Sequence, residues 1–338
     1  MSTSAHDAGA AAAGARAETV AGAAAEPVLV GKAAVRFGTS SWTDPTLLEA
    51  GVFYPESAHT PETRLKYYAS RFSVVEVDSS YYALPSRRNA ELWVDRTPDG
   101  FQFDIKAHAL MTGQPTEVKR LPGELKKALP KAAGEKARIY AKDLPPELRA
   151  QVWTSFREAI EPLHHAKRLG AVMLQYPRWF GPSDENRVEL EQAAERLEGL
   201  PCAVEFRSAL WFAGTTAAST LRLLSDAGLS FVMVDEPQGM KSSVPPIVAV
   251  TAKRLAVVRL HGRRAEAWEK TGIPVVERFR YLYSEQELGE WVTKIIDAAK
   301  EAREVHVLMN NCYANYGTTN ALEIAAMVRR ACGAGKKN

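Results

Sequence analysis

The sequence predicts an α/β protein of the (β/α)₈ (TIM) barrel type, and three observations carry that expectation. Eight short apolar runs alternate with segments long enough for helices. Within the runs one parity of residues is apolar throughout and the other is largely polar. The polar residues crowd toward the C-terminal ends of the runs, where barrels of this kind place their chemistry.

Length and composition agree with this class. The chain has 338 residues, long for an ordinary domain but normal for one α/β barrel. Its 46% hydrophobic and 25% charged residues are those of a globular protein in water, and a net charge of +3 does not by itself predict a nucleic-acid partner. Cys202, Cys312 and Cys332 form no C-x-x-C pair, which argues against structural zinc and a disulfide framework. Free thiols predict a reducing, cytoplasmic location. No apolar run approaches the roughly 18 residues of a membrane span, so no membrane association is expected.

Taken in order, residues 1–33 are rich in Ala and Gly and lack periodicity, which predicts a disordered tail and no secretory signal. Residues 34–332 form the single barrel domain, and 333–338 a flexible basic C-terminus. The strand runs are Val35–Ser40, Val74–Asp78, Phe101–Lys106, Ala171–Gln175, Cys202–Arg207, Ser230–Asp235, Ala256–His261 and Val305–Asn310. Thr60-Pro61 starts a helix with a cap residue followed by proline. Ser284 to Glu287 and Asn320 to Glu323 both have capping-box spacing. Gly170 and Gly228 sit where helices should stop before strands four and six. The crossover after strand six carries Pro237, Pro245 and Pro246, so any helix there is short or displaced. A basic insertion follows strand three: residues 117–142 hold eight Lys or Arg against three Glu. It lies on the face of the strand C-termini, placed to steer an anionic substrate or to be a solvated loop.

The alternation selects the candidate site. Glu76 and Asp78 end strand two, Lys106 strand three, Gln175 strand four, Glu205 and Arg207 strand five, Asp235 strand six, Arg259 and His261 strand seven, and Asn310 strand eight. Burying so many charges without partners is costly, so they are expected to converge on one mouth. Glu76, Lys106, Glu205, Asp235 and His261 are the catalytic candidates, as acids, bases or electrophile. Ser40, Trp42, Tyr82, Gln175, Arg207, Trp211, Arg259, Asn310 and Asn311 are the binding candidates, with arginine forks for a carboxylate or phosphate and aromatic rings for stacking. Glu76, Glu205, Asp235 and His261 would also suit a divalent metal. Three neighbouring cations oppose that, and neither a metal nor a cofactor is expected.

Several segments resemble the TIM-barrel family known as domain of unknown function 72. They are Gly38-Thr39-Ser40-x-Trp42, Phe53-Tyr54-Pro55, Arg64-Leu65-x-Tyr67-Tyr68, Val75-Glu76, Tyr82-x-Leu84-Pro85, Gln175-x-Pro177, Val204-Glu205-Phe206-Arg207, Arg259-Leu260-His261-Gly262 and Asn310-Asn311. The resemblance spans about residues 35–330, implies the barrel and a shared mouth, and supplies no reaction. Ser41, Arg178 and a long insertion over 108–150 depart from the family pattern.

The leading functional expectation is an enzyme, a hydrolase or lyase, using acid–base chemistry on a small anionic or ring-containing polar substrate. A metal-dependent phosphoester hydrolase, with nucleic acid as a conceivable partner, and a non-catalytic ligand-binding barrel are the alternatives.

Overall fold

The protein is described by a computed structural model covering residues 3–20 and 22–334. Its elements begin with α1 (Thr3–Glu18), β1 (Val28–Val30), β2 (Ala33–Thr39), α2 (Pro45–Ala50), α3 (Pro61–Ala69), β3 (Val74–Val77), α4 (Arg87–Asp95) and β4 (Gln102–Lys106). There follow β5 (Thr116–Glu117), α5 (Gly123–Ala128), α6 (Lys131–Gly134), β6 (Arg138–Ile139), α7 (Pro146–His165), β7 (Leu169–Gln175), α8 (Asp184–Arg196) and β8 (Cys202–Glu205). The chain ends with α9 (Thr216–Asp226), β9 (Ser230–Asp235), β10 (Ala256–Leu260), α10 (Ala265–Trp268), α11 (Val275–Arg278), α12 (Glu285–Glu301), β11 (Glu304–Met309) and α13 (Tyr316–Ala334).

All eight predicted runs form strands of one sheet, ordered β1-β2-β11-β10-β9-β8-β7-β4-β3. Its neighbours are parallel except β1, which pairs antiparallel with β2. The sheet curls in the manner of a TIM-like α/β fold, bringing β2 up to the edge strand β3. A Cβ on Gly38 would sit 1.9 Å from the Val74 carbonyl oxygen, so only glycine allows this approach. The Tyr68 hydroxyl spans the seam, accepting from Thr39 N at 2.9 Å and lying 3.3 Å from the Val74 carbonyl. The apolar parity, including Val35, Val75, Phe103, Val172, Val204 and Val258, is buried against the helices.

Local signals explain the helix starts. Thr60 and Ser284 both form reciprocal capping boxes, at α3 and α12. Gly228 takes φ +67° just beyond α9, as a helix stop requires. Among the described residues no helix fills the proline-rich crossover from β9 to β10.

Five expectations need correction. Residues 1–33 are not a patternless tail: α1 packs on α13, with Ala10 and Ala13 buried. Thr319 Oγ1 donates to the Ala13 carbonyl at 2.9 Å, and Arg16 pairs with Glu323 at 2.7 Å. Periodicity failed as a signal because the contact face is alanine and glycine; a Cβ on Gly9 would meet the Tyr316 hydroxyl at 2.3 Å. Gly170 is not a helix stop but lies inside β7, where a Cβ would reach Asp104 Oδ1 at 2.4 Å and His306 Cε1 at 2.6 Å. Asn320 does not cap a helix; α13 starts at Tyr316, and the Asn320 amide ties Tyr283 N (3.0 Å) to Asn311 (2.8 Å). Gly333 and Ala334 belong to α13, while 335–338 fall outside the described residues.

Strand six supplies the fifth correction. In parallel pairing Val234 lies beside Arg259, and Asp235 beside Leu260. Asp235 therefore shares the outward face of Leu260, and the next residue, Glu236, continues the inward set. A slip of one residue exchanges the two faces.

Candidate active site

The inward parity builds two charged layers, one toward each end of the sheet. The layer toward the strand N-termini holds Asp104, His306, Glu304 and Arg36. His306 Nδ1 lies 2.9 Å from Asp104 Oδ2, and its Nε2 is 3.3 Å from Glu304, which also pairs with Arg36. Burial opposes charge on His306, but Asp104 and Glu304 outweigh it and raise its pKa to about 9. This layer was not singled out from sequence, although His306 lies on the inward parity of strand eight.

The layer toward the strand C-termini is centred on Arg259, which is buried. Its Nη2 donates to Glu76 Oε1 at 2.9 Å, its Nη1 bonds Glu205, and Ser40 Oγ lies 3.4 Å away. Glu205 also pairs with Arg207 Nε at 2.6 Å and accepts from Gln175 Nε2 at 2.9 Å. Arg207 Nη1 donates to Glu236 Oε2 at 3.1 Å, and the Val244 N–H donates to the other Glu236 oxygen at 2.6 Å. Asn310 Nδ2 donates to His261 Nδ1 at 2.8 Å, and His261 Nε2 faces Glu205 at 3.3 Å. Glu76, Glu205, Glu236, Arg259 and His261 thus form one connected network closed to solvent.

Burial and charge set the protonation of this network. Burial works against the charge on Glu205, but Arg207 and Arg259 hold it well below the usual carboxylate range. Burial raises Glu76 to about 7 despite Arg259. It raises Glu236 to about 8 despite Arg207. Burial, then the Arg207 charge, drive His261 down to about 3, so its imidazole is neutral.

Above the network opens a cavity of about 440 Å³, the size of a small-molecule site. Of the predicted residues, Lys106, Tyr82, Gln175, Arg207 and Asn310 line it. Lys106 Nζ donates to Asp78 Oδ1 at 2.6 Å and lies 4.9 Å from the centre of the Tyr81 ring. Glu76, Glu205, His261, Arg259 and Ser40 lie beneath the lining.

Four candidates do not reach the mouth. Asp235 is held on the outer face by Arg263 (2.7 Å), Tyr283 OH (2.7 Å) and Trp291 Nε1 (2.6 Å). Trp211 is fully buried, stacks on Phe206 at 4.7 Å and donates to the Phe180 carbonyl. Trp42 packs edge-on against Trp93 at 5.9 Å. Asn311 is buried and donates to the Tyr281 carbonyl and to Asn320, both at 2.8 Å. Glu76, Glu205, Asp235 and His261 are thus not brought together as a ligand set. Among the described residues no group of three His, Cys, Asp or Glu is arranged to hold a metal ion. Cys312 is an unsuitable nucleophile because burial pushes its thiol far up.

Sequence reasoning missed Glu236, Arg178, Trp268, Arg278 and Phe279 as parts of one site, whereas Trp179, which follows strand four, does line the cavity as its position suggests. Glu236 was recoverable by continuing the strand-six alternation one residue. Trp268, Arg278 and Phe279 come from the irregular segment after β10, where no periodicity points. The insertion forms a small lobe in which β5 and β6 pair antiparallel. Glu117 there is shared by Lys119, Arg120 and Arg138, and Arg120 lies over the Tyr82 ring at 5.4 Å.

Comparison with known proteins agrees with this architecture. The model of the family described as "Protein of unknown function DUF72" matches residues 36–337. UPF0759 protein YunF of Bacillus subtilis is 30% identical over 280 residues, 82% of this chain and 88% of that protein. UPF0759 protein YecE of Escherichia coli K12 is 27% identical over 206 residues, 60% of this chain and 59% of that one. The crystal structure of a DUF72 family protein from Thermotoga maritima superposes with a TM-score of 0.68 at 30% identity, covering 87% of this chain and 98% of the other. One from Enterococcus faecalis gives 0.67 at 27% identity, covering 87% and 97%. By matched length, identity and shared fold, this chain belongs to the DUF72 family.

Proposed function

We propose that the protein is a cytoplasmic enzyme that performs acid–base chemistry, as a hydrolase or lyase, on a small anionic or ring-containing polar substrate. In this reading the curled sheet works as a complete (β/α)₈ barrel, the mouth cavity takes the substrate, and no cofactor takes part. The supporting observation is the connected Glu76–Arg259–Glu205–Arg207–Glu236 network directly beneath the cavity. Such a layer shifts carboxylates toward neutral pH, as proton transfer requires. Lys106, the catalytic candidate that reaches the cavity, donates a proton or polarises a substrate oxygen, with Asp78 as its partner. Arg207 binds the substrate anion, Gln175 and Asn310 offer amides, and Glu76, Glu205, Arg259 and His261 hold Arg207 and the floor in place. Ser40 supports the floor through Glu76. The basic insertion steers anions toward the mouth.

The test is a panel of anionic metabolites incubated with the protein and followed by mass spectrometry. Wild type should convert at least one. Lys106→Met should keep the wild-type melting curve and lose conversion by about 100-fold or more. Undiminished conversion by Lys106→Met would refute the assignment. A ligand bound but never converted would favour the non-catalytic barrel.

A further inference from the structure

Resting on the reading of the mouth as a small-molecule site, we infer that its ligand is a phosphate monoester carried on a planar ring. Two kinds of wall meet at the cavity. Tyr82, which follows β3, and Trp179, which follows β7, are large aromatics left 43% and 59% exposed, and both line it. Arg120 lies over the Tyr82 ring at 5.4 Å, whereas no ring or cation covers Trp179 among the described residues, and stacking on a planar ring is the contact it is shaped for. Between their strands lies β4, whose Lys106 also lines the cavity.

The second wall is cationic. Lys106, Arg178, Arg207 and Arg278 line the cavity against Asp78 and Glu269, an excess of two positive charges over those residues. Lys106 and Arg207 are committed to carboxylates, but among the described residues neither Arg178 nor Arg278 forms a close ion pair, Arg178 acting on Glu269 only at longer range. Arg278 Nη2 donates to the Lys270 carbonyl at 3.0 Å, and its Nε is buried without a partner. Trp268, 93% buried on the same wall and 5.2 Å from Arg207, likewise has an indole N–H with no partner. These unsatisfied groups are all donors. They call for a ligand rich in acceptors and bearing about two negative charges, which a phosphate monoester supplies and a neutral sugar does not. A carboxylate meets only half the charge. The cavity volume accommodates one ring and one phosphate.

Calorimetry with phenyl phosphate, inorganic phosphate, benzoate and benzyl alcohol tests the inference. Phenyl phosphate should bind at least about tenfold tighter than each of the others, a difference of about 1.4 kcal/mol. Trp179→Ala should weaken phenyl phosphate about tenfold and leave inorganic phosphate unchanged, while Arg278→Gln should weaken both phosphates. Benzoate or benzyl alcohol binding as tightly as phenyl phosphate would overturn the inference yet leave the mouth standing as the site, provided Arg207→Met weakens that binding. Phenyl phosphate that fails to saturate by about 10 mM, or binds undiminished to both variants, overturns the inference outright. In that case the metabolite panel with Lys106→Met still decides the broader reading separately.

Discussion

Replacing Arg259 by Met removes the one cation that joins Glu76 to Glu205. The two carboxylates do not suffer equally. Glu205 keeps Arg207 at 2.6 Å and the Gln175 amide at 2.9 Å. Glu76 keeps a long contact to Ser40 Oγ at 3.4 Å and the more distant Lys106 charge. A buried charge stripped of its partner costs about 3–5 kcal/mol, and here that cost falls almost wholly on Glu76. Because burial already raises Glu76 to about 7, loss of the arginine raises it further and the variant folds with this carboxyl protonated. An acid whose folded pKa lies above its unfolded value loses stability as pH rises between the two. The pH-dependent part of the Arg259→Met deficit should therefore be absent near pH 5 and reach about 1.4 kcal/mol by about pH 8, because wild-type Glu76, itself raised to about 7, stays protonated below that. Adding Glu76→Gln should restore much of the loss at high pH, with a coupling of about 1–3 kcal/mol. Urea denaturation followed by circular dichroism at both pH values measures all three proteins. A cost below about 1 kcal/mol at pH 8, or one indifferent to Glu76→Gln, would show that Arg259 does not hold the floor together.

Arg207→Met should cost less than Arg259→Met, about 1–2 kcal/mol by denaturation, because Glu205 retains Arg259 and Glu236 is already raised to about 8. Binding of phenyl phosphate should nevertheless fall sharply, and an equal or larger stability loss than Arg259→Met would count against this ranking. At the other end of the sheet, His306 is raised to about 9, so its pairing stabilises fully below its unfolded value near 6.5 and is lost as pH rises through 9. Asp104→Asn should flatten that part of the stability profile in a denaturation series across the window, and an unchanged slope would remove His306 as its source. Deleting residues 1–20 should lower the melting temperature by a few degrees through loss of the α1–α13 contact and the Arg16–Glu323 pair, whereas an unchanged scan would mean that α1 adds nothing to the fold. Phosphate-ester binding near about pH 7.5 should take up a fraction of a proton, because a new anion beside Arg207 favours protonation of Glu236; heats independent of the buffer's ionisation enthalpy would refute this.

Strand positions were legible in the sequence because each strand is a short apolar run bounded by turns. The faces were legible where polar residues mark the inward parity, as Arg36, Glu76, Asp104, Glu205 and Arg259 do. The site failed to read where those rules lose their footing. Strand six has Val232, Met233 and Val234 in succession, apolar on both faces, so its register was set by the final acid alone. That acid, Asp235, faces outward, and the neighbouring Glu236 holds the inward place. Trp211 follows a strand, as mouth residues do, but a stack of rings from Phe180 to Phe206 draws it beneath its own loop. The segment over 262–283 carries no period at all, and its Trp268 and Arg278 reach the cavity only through tertiary packing. The α1 helix was invisible for a related reason: small residues against small residues bury a face without a hydrophobic signature.

The two charged layers inside the sheet are made of the same parts, and their difference argues for which end works. Toward the strand N-termini, Asp104 and Glu304 balance Arg36 and a protonated His306, and that set closes on itself. Gly170 is kept bare to make room for it, the mark of packing perfected around a fixed charge pattern. Toward the C-termini, Glu76, Asp78, Glu205 and Glu236 outnumber Lys106, Arg207 and Arg259 by one, and His261 is held neutral between Asn310 and Glu205. The odd charge is met within the layer by protonation, because burial raises the surplus carboxyls close to neutrality, Glu76 to about 7 and Glu236 to about 8. A layer built only to close the fold gains nothing from an unbalanced, half-protonated acid in its interior. A layer beneath a cavity does, because it can take up a proton when an anion arrives above Arg207 and release it when the anion leaves.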